Sequence, residues 1–236
     1  MDKSSFVKRM FEDIAFSYDL QNSVLSLRRD ISWRRILARS LGASYRGLIL
    51  DAATGTSEVA IEICRQNGSA KVVGVDISPR MLGIASEKIR ARQLDNRIHL
   101  GLGDGRTLPF KDGTFDAVSI AFGLRNIDER KKALAEFGRV LKPGGQLLIM
   151  EFGYPEDPLL RIIYGFYFHY VLPPLGNRLS RTDYAYSYLV ESVRSFPGKE
   201  AFLKEMGDAG FRHLGTRKLT FGIAVIYSGV KREKDL

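Results

Sequence analysis

Five short apolar runs, most of them separated by helical patterns, constrain this chain more than any other feature. They are LILDA (48–52), KVVGVD (71–76), IHLGLGD (98–104), FDAVSIAF (115–122) and GGQLLIMEF (144–152). Each has strand length and is dense in Val, Ile, Leu or Phe, as strands buried on both faces require. The intervening stretches 57–67, 79–92 and 129–141 place apolar residues at helical spacing, with Val59, Ala60, Ile63 and Cys64 facing inward in the first. Ser78 followed by Pro79 reads as an N-cap with proline in the first helical position. Strands that alternate with helices in this way build a mostly parallel sheet covered on both faces. A helix at 198–209 and strands near 212–219 and 222–230 bring the expected strand total to seven.

Nothing divides the chain. No internal repeat or long linker interrupts it, and its 236 residues suit one core. We expect one domain over 1–236, with a helical segment at 5–45 and an aromatic-rich helical insertion at 154–195. In the first segment Val7, Met10, Phe11, Ile14 and Phe16 lie among charges, and Trp33, Ile36, Leu37 and Leu41 continue a helix face.

Composition removes several function classes. The single cysteine, Cys64, allows no disulfide framework and fits a reducing compartment. His99, His169 and His213 are too scattered to suggest a metal site, so none is expected. No apolar run reaches the roughly 18 residues of a spanning helix, and the first residues lack the pattern of a signal peptide. The expected location is cytoplasmic, with visits to the inner face of a membrane. Lys and Arg outnumber Asp and Glu by 36 to 27, giving +9. Such an excess suits nucleic acid, an anionic membrane surface or an acidic ligand. No nucleic-acid-binding module is present, so a merely solvated basic surface is the first reading and an anionic membrane surface comes ahead of nucleic acid.

Ligands of doubly wound sheets sit at the carboxyl ends of the strands. Here those ends carry Asp51, Asp76, Asp104 and the pair Ala121–Phe122. The turn after the first strand, ATGTSE, has Ala53, Gly55 and Ser57 where a dinucleotide loop would place three glycines. A pyrophosphate prefers the positive end of a helix. Acidic residues around this turn instead suit a cationic cofactor with an amino-acid portion. Asp76 is placed for both ribose hydroxyls and Asp104 for an adenine amino group, with Ile77 and Met81 following Asp76 along the same wall. S-adenosylmethionine has these parts and no phosphate.

LDAATGTSE, VVGVDISPRML, GDGRTLPFKDGTFDAV, IAFGLRNIDERKKAL, FGRVLKPGGQLLIMEF and YSYLVESVRSFP resemble the C-methyltransferases of quinone biosynthesis, which act on demethylmenaquinol and a related ubiquinone precursor. FYFHYVLPPLGNRLSR (166–181) and MFEDIAFSYDLQNSVLS near the start extend the likeness to roughly residues 7–230. The resemblance implies the class I S-adenosylmethionine-dependent methyltransferase fold, a Rossmann-like α/β fold of seven strands with the last antiparallel. It implies cofactor contacts at Thr56, Asp76, Asp104, Gly105 and Ala121, and catalytic roles for Arg125 and Asn126. The chain departs from the family pattern in three places. GTSE at 55–58 replaces GTGD, Ala121 replaces a serine, and Arg28 in SLRRDISW replaces a glycine.

The implied reaction methylates a ring carbon of a prenylated quinol, with demethylmenaquinol the leading acceptor. An arginine is a poor base, so Arg125 is expected to stabilise the phenolate rather than take its proton. Tyr18 belongs to a segment expected to close over the cofactor. Phe122, His169, Tyr184, Tyr188 and Arg194 are the expected substrate contacts, and Leu159, Ile162, Ile163, Phe166, Tyr167 and Tyr170 an apolar groove for the tail. The same cofactor residues would also serve a methyltransferase for a phenol, sterol or polyketide. A nucleic-acid methyltransferase is disfavoured because AFGLRN stands where a [DN]PP[YFW]-like motif is common. A binding protein without catalysis is a further alternative, which intact acidic strand ends argue against. A homodimer is compatible with all of these.

Overall fold

The computed structural model describes residues 2–42, 46–172, 174, 178 and 184–233. Part of the 166–181 likeness and the end of the 5–45 segment therefore lie outside the described residues. The central sheet is formed by β1 (Leu48–Ala52), β2 (Lys71–Asp76), β3 (Ile98–Leu102), β4 (Phe115–Ala121), β5 (Leu141–Phe152), β6 (Phe211–Leu219) and β7 (Ala224–Lys231). Its order is β3-β2-β1-β4-β5-β7-β6. β1 to β5 pair in parallel, while β7 runs antiparallel to both β5 and β6. The chain reverses its direction of strand addition at β1, and the carboxyl ends of β1 and β4 form the crevice there.

Helices cover both faces because both faces of the strands are apolar. On one side α3 (Arg29–Arg39) and α4 (Glu58–Gln66) bury Trp33, Leu37, Val59, Ala60 and Ile63 against Ile49 and Ala117. On the other, α6 (Arg130–Val140) and α9 (Lys199–Asp208) bury Leu134, Phe137, Phe202 and Met206 against Leu50 and Val118. α5 (Pro79–Ala91) starts as expected, with the Ser78 hydroxyl accepting from the Met81 backbone N–H at 3.3 Å.

A third apolar cluster sits above the strand ends. It joins α1 (Lys3–Ile14) and the end of α2 (Tyr18–Leu25) to α7 (Pro158–Phe166), a π-helical turn at Tyr167–Val171 and α8 (Ala185–Arg194). Met10, Ile14, Tyr164, Phe168 and Tyr186 are among its buried members. Phe16 does not join it and is 83% exposed. Two residues past Ile14 is about 200° round a helix, so Phe16 falls on the side away from Met10 and Ile14, where the Arg80 guanidinium sits 5.5 Å from its ring centre.

The Arg28 departure has a backbone explanation. Leu27 and Arg28, between α2 and α3, both have positive φ, at 51° and 62°. A glycine adopts such a conformation without the Cβ clash that any other residue meets. β5 starts three residues earlier than the GGQLLIMEF run, because Leu141 pairs with Phe115 across a register shift.

Candidate active site

The turn after β1 keeps its shape without the full set of glycines. Ala53, Gly55 and Ser57 all have positive φ, at 49°, 55° and 63°. Polar groups beneath the turn hold it there. The Gly55 N–H donates to Asp76 Oδ2 at 2.8 Å, and Thr54 Oγ1 donates to Asp51 Oδ2 at 2.6 Å. From β4, Ser119 Oγ donates to Asp51 Oδ1 at 2.7 Å. Asp51 is 1% exposed, and burial pushes its carboxyl up to about 6 against these two hydroxyl donors. The Ala53 methyl leans on Gly123, where a Cβ would come within 2.7 Å of it. The bulk missing from a glycine at 53 is thus accommodated by a glycine in the FGLRN segment.

A cavity of about 770 Å³ opens beside this turn. Tyr18, Ala53, Gly55, Asp76, Ile77, Met81, Asp104, Gly105 and Ala121 line it. Asp51 and Thr56, the remaining residues expected around the cofactor, line an adjoining cavity of about 390 Å³ that shares Tyr18, Ala53, Gly55 and Ala121 with the first. Asp76 is 8% exposed and burial raises its pKa. Besides the Gly55 bond it accepts from the Ser78 N–H at 2.9 Å. Each carboxylate oxygen keeps a lone pair for a further donor.

Asp104 differs from expectation. Its carboxylate is gripped by the Arg106 guanidinium, with Nη2 at 2.6 Å and Nε at 3.0 Å from Oδ2. Burial acts to raise its pKa, but the Arg106 hydrogen bonds outweigh that and lower it. The amino-terminal segment is fastened across the same cavity. Asp19 accepts from Thr56 Oγ1 and from Lys88 Nζ, both at 2.7 Å, and Ser4 Oγ accepts from Arg106 Nη2 at 3.2 Å.

Beyond Tyr18 and Phe122, which line the first cavity too, lies a second of about 620 Å³. Arg125, Asn126, Phe152 and Tyr188 are among its walls. Arg125 comes from the 3-10 turn Leu124–Asn126 just past β4. Its Nη1 lies 2.9 Å from Glu151 Oε2 and also donates to the Phe122 carbonyl, while its backbone N–H donates to Glu151 Oε1 at 3.1 Å. The guanidinium sits 5.2 Å from the centre of the Phe152 ring. Both side chains are nearly enclosed, at 7% and 1% exposed. Arg125 is therefore a buried half of an ion pair rather than a free charge.

Four buried side-chain polar atoms have no hydrogen-bond partner among the described residues, and three belong to this cavity's walls: Arg125 Nε, Asn126 Oδ1 and Tyr188 Oη. Unpaired buried polar groups are costly, so their concentration here marks a place built for a polar ligand. The second cavity continues past Trp33, Phe152, Tyr186 and Leu189 into a third of about 1000 Å³. Leu25, Leu27, Tyr164, Tyr167, Phe168, Leu172 and Ile223 line that one, and its walls are mostly apolar.

Of the expected substrate contacts, Phe122 and Tyr188 reach the second cavity and three do not. His169 is exposed, its Nδ1 2.8 Å from the Gly165 carbonyl on its own helix, because the π turn directs Phe168 inward instead. Tyr184 shares a helix face with Tyr188, as its spacing required, and both rings pack on Phe6. Its hydroxyl, however, donates to Asp13 at 2.6 Å, at the outer edge. Arg194, at the far end of α8, lines a separate cavity with Arg161, Lys199 and Lys218. In the expected tail groove only Tyr167 lines the third cavity; Leu159, Ile162, Ile163, Phe166 and Tyr170 point outward, 58–71% exposed.

Sequence reasoning passed over Glu151, Asp30 and Arg34. Glu151 had a readable signal: a carboxylate inside the buried run LLIMEF needs a cationic or hydrogen-bonding partner. Asp30 and Arg34 form a 2.9 Å ion pair one turn apart on α3, 4% and 12% exposed. Their spacing was visible, but so is that of many solvated helix pairs.

The sequence matches the ubiE/COQ5 methyltransferase family over residues 1–231. This chain belongs to that family. It is 44% identical over 231 residues to a ubiquinone/menaquinone biosynthesis C-methyltransferase UbiE of Geobacter sulfurreducens, covering 98% of this chain and 90% of that protein. It is also 44% identical to a demethylmenaquinone methyltransferase of Deinococcus radiodurans, covering 98% and 95%. Among solved structures, the cyclase SpnF superposes with a TM-score of 0.72 at 18% identity, covering 97% of this chain and 96% of SpnF. A SAM-dependent methyltransferase of Aquifex aeolicus gives 0.60 at 19%, covering 84% and 88%. Those distant likenesses show the fold alone, which is the class I methyltransferase fold with a seven-stranded, mostly parallel sheet. Family membership makes the chain an S-adenosylmethionine-dependent methyltransferase.

Proposed function

We propose that this ubiE/COQ5-family enzyme methylates a ring carbon of a prenylated quinol, with demethylmenaquinol as the acceptor. The observation that carries the reading is the pair of joined cavities: a compartment with three unpartnered polar atoms, opening into a long apolar one. A ring hydroxyl fits the first and a prenyl tail the second. The names of the Geobacter and Deinococcus relatives, which are ubiquinone/menaquinone and demethylmenaquinone methyltransferases, support the same choice.

The residues present fit the cofactor. Asp76 has acceptor capacity left for ribose hydroxyls, Gly105 and Met81 wall the adenine region, and Asp51 and Glu58 offer negative charge near the turn. When bound, the cofactor supplies an activated methyl on a sulfonium. The protein has to aim the acceptor and make its ring carbon nucleophilic. The Arg125 Nε–H is the free donor that can hold the acceptor's oxygen as it loses its proton, and Asn126 Oδ1 can accept from a hydroxyl. Glu151 occupies Nη1 of the Arg125 fork and leaves Nε without a protein partner. Burial raises the Tyr188 pKa, which keeps it a hydroxyl donor rather than a base. The attacking carbon would gain the methyl, with the S–CH3 bonding pair left on a neutral thioether; it would then give up its ring proton while the ring oxygen takes one back, so one proton leaves per turnover.

The assay is direct: labelled cofactor with reduced demethylmenaquinone, the benzoquinol precursor and a simple phenol, each product identified by mass. We expect C-methylation of the demethylmenaquinol. Methylation of the phenol alone, or on oxygen, would replace the reading with that of a small-phenol methyltransferase.

The acceptor lives in a bilayer, and the protein's surface suits a visit there. No helix among the described residues is long and apolar enough to cross a membrane. Instead α7 and the π turn expose Leu159, Ile162, Phe166 and Tyr170, and Phe16, Leu20, Val24 and Leu27 are exposed on and beside α2. Leu27 belongs to both this face and the third cavity, and Arg29 also lines that cavity. Together with the +9 charge, this favours an anionic membrane surface over nucleic acid. Vesicles containing anionic lipid should bind the protein more than neutral ones, less so as salt rises. Ile162→Glu with Phe166→Glu should abolish binding while leaving melting unchanged. Unaltered vesicle binding by that variant, or a salt-insensitive dimer formed through the same face, would remove the membrane from the proposal.

A further inference from the structure

The smaller cavity beside the turn after β1, of about 390 Å³, contains charges of both signs, of which the positive one has no role in the mechanism above. Asp51 and Glu58 line it, and so does Arg34, its one cationic wall among the described residues. Glu58 is fixed by Lys88 at 2.5 Å and Asp51 by its two hydroxyl donors. Arg34 reaches this place from α3, outside every strand-end motif, and is 12% exposed.

Arg34 is aimed by a rigid neighbour. Asp30 lies 2.9 Å from its Nη1 and accepts in turn from Ser26 Oγ at 2.8 Å. The Asp30 backbone N–H donates to the same hydroxyl at 3.2 Å, so Ser26 and Asp30 brace each other. A braced carboxylate occupies part of the guanidinium and leaves the rest of its five donors for a second anion. The fork geometry of arginine matches a carboxylate best.

The position of the cavity identifies that anion. The larger neighbouring cavity contains Asp76 and Asp104, so it receives the nucleoside part of the cofactor. The smaller one, joined to it through Gly55, Ala53 and Tyr18, is left for the amino-acid part. An α-amino acid is a zwitterion. Its ammonium calls for the acidic residues, and its carboxylate calls for a cation.

We propose that Arg34 binds the carboxylate of the cofactor's amino-acid portion, with Asp30 as its positioning residue. The inference rests on the cofactor and is independent of which quinol accepts the methyl. It makes the amino-terminal helical segment part of the cofactor site, since Tyr18 and Arg34 both line it.

Two ligands that differ only by this carboxylate test the inference: S-adenosylmethionine and its decarboxylated form, each titrated by calorimetry. The unaltered protein should prefer the carboxylated ligand by at least about tenfold, the usual yield of a charge-assisted pair. Arg34→Met alone would strand a buried Asp30, so it is combined with Asp30→Asn. That double variant should bind S-adenosylmethionine at least about tenfold more weakly while its affinity for the decarboxylated ligand changes less than about twofold. Arg34→Lys should restore part of the preference. Equal weakening for both ligands would make Arg34 a merely structural residue and overturn the inference, as would an unaltered protein that does not discriminate. Failure of the unaltered protein to bind either ligand would overturn the cofactor assignment itself.

Discussion

Arg125→Ala is expected to lose on the order of 100-fold or more in kcat per folded active site, about 2.7 kcal/mol, by analogy with removing one oxyanion donor. The structure adds a second consequence. Glu151, 1% exposed, would be left as a buried charge without its partner. Breaking a buried pair from one side costs on the order of 3–5 kcal/mol of stability. The single variant therefore melts early and turns over slowly, and neither fact alone identifies its cause. A double variant, Arg125→Leu with Glu151→Leu, separates them. Replacing both members of a buried pair by apolar residues is often neutral, so melting should recover while kcat stays as low as in Arg125→Ala. If activity returned with stability, Arg125 would be a structural residue and Asn126 and Tyr188 would be next to test. Cofactor affinity, measured alongside, should change little in the double variant, because the loss falls on the acceptor's oxygen in the transition state.

Replacing Asp76 by Ala should weaken S-adenosylmethionine binding at least tenfold, about 1.4 kcal/mol, and the loss has two sources. One is the pair of ribose hydrogen bonds that its free lone pairs are placed to make. The other is internal. Asp76 accepts from the N–H groups of Gly55 and Ser78, and the first of these holds the turn after β1. Without the carboxylate, a turn carrying Ala53 and Ser57 at positive φ loses one of its ties. Asp76→Asn keeps one acceptor oxygen and should fall between the wild type and Asp76→Ala. Calorimetry decides the matter: wild-type affinity in Asp76→Ala would remove the ribose from this strand end.

The order of strands and helices was legible because it follows from hydrophobic period alone. Apolar runs such as KVVGVD cannot sit at the surface, and a pattern such as 57–67 buries one face only as a helix. The strand-end carboxylates were legible too, since a carboxylate that closes an apolar run is most readily satisfied by the turn that follows it. Side-chain directions were less secure. His169 and Tyr184 lie in the right segment, but a π turn and a contact with Asp13 send them away from the cavities. Helical phase decides which side of a helix faces a cavity, and one irregular turn shifts it.

What the sequence determined by itself is the doubly wound sheet, the acidic crevice at its switch point and the place of FGLRN just past β4. These depend on neighbours along the chain and on burial, both of which the residue order encodes. Only the tertiary structure decided that Arg125 is locked to Glu151 and that Arg34 lines the cavity beside the turn after β1. Arg125 and Glu151 are 26 residues apart in sequence, and Arg34 belongs to a helix before the first strand. Whether such charges meet is set by how the helices and strands pack, and a charged side chain reads the same in sequence whether it is solvated or buried against its partner.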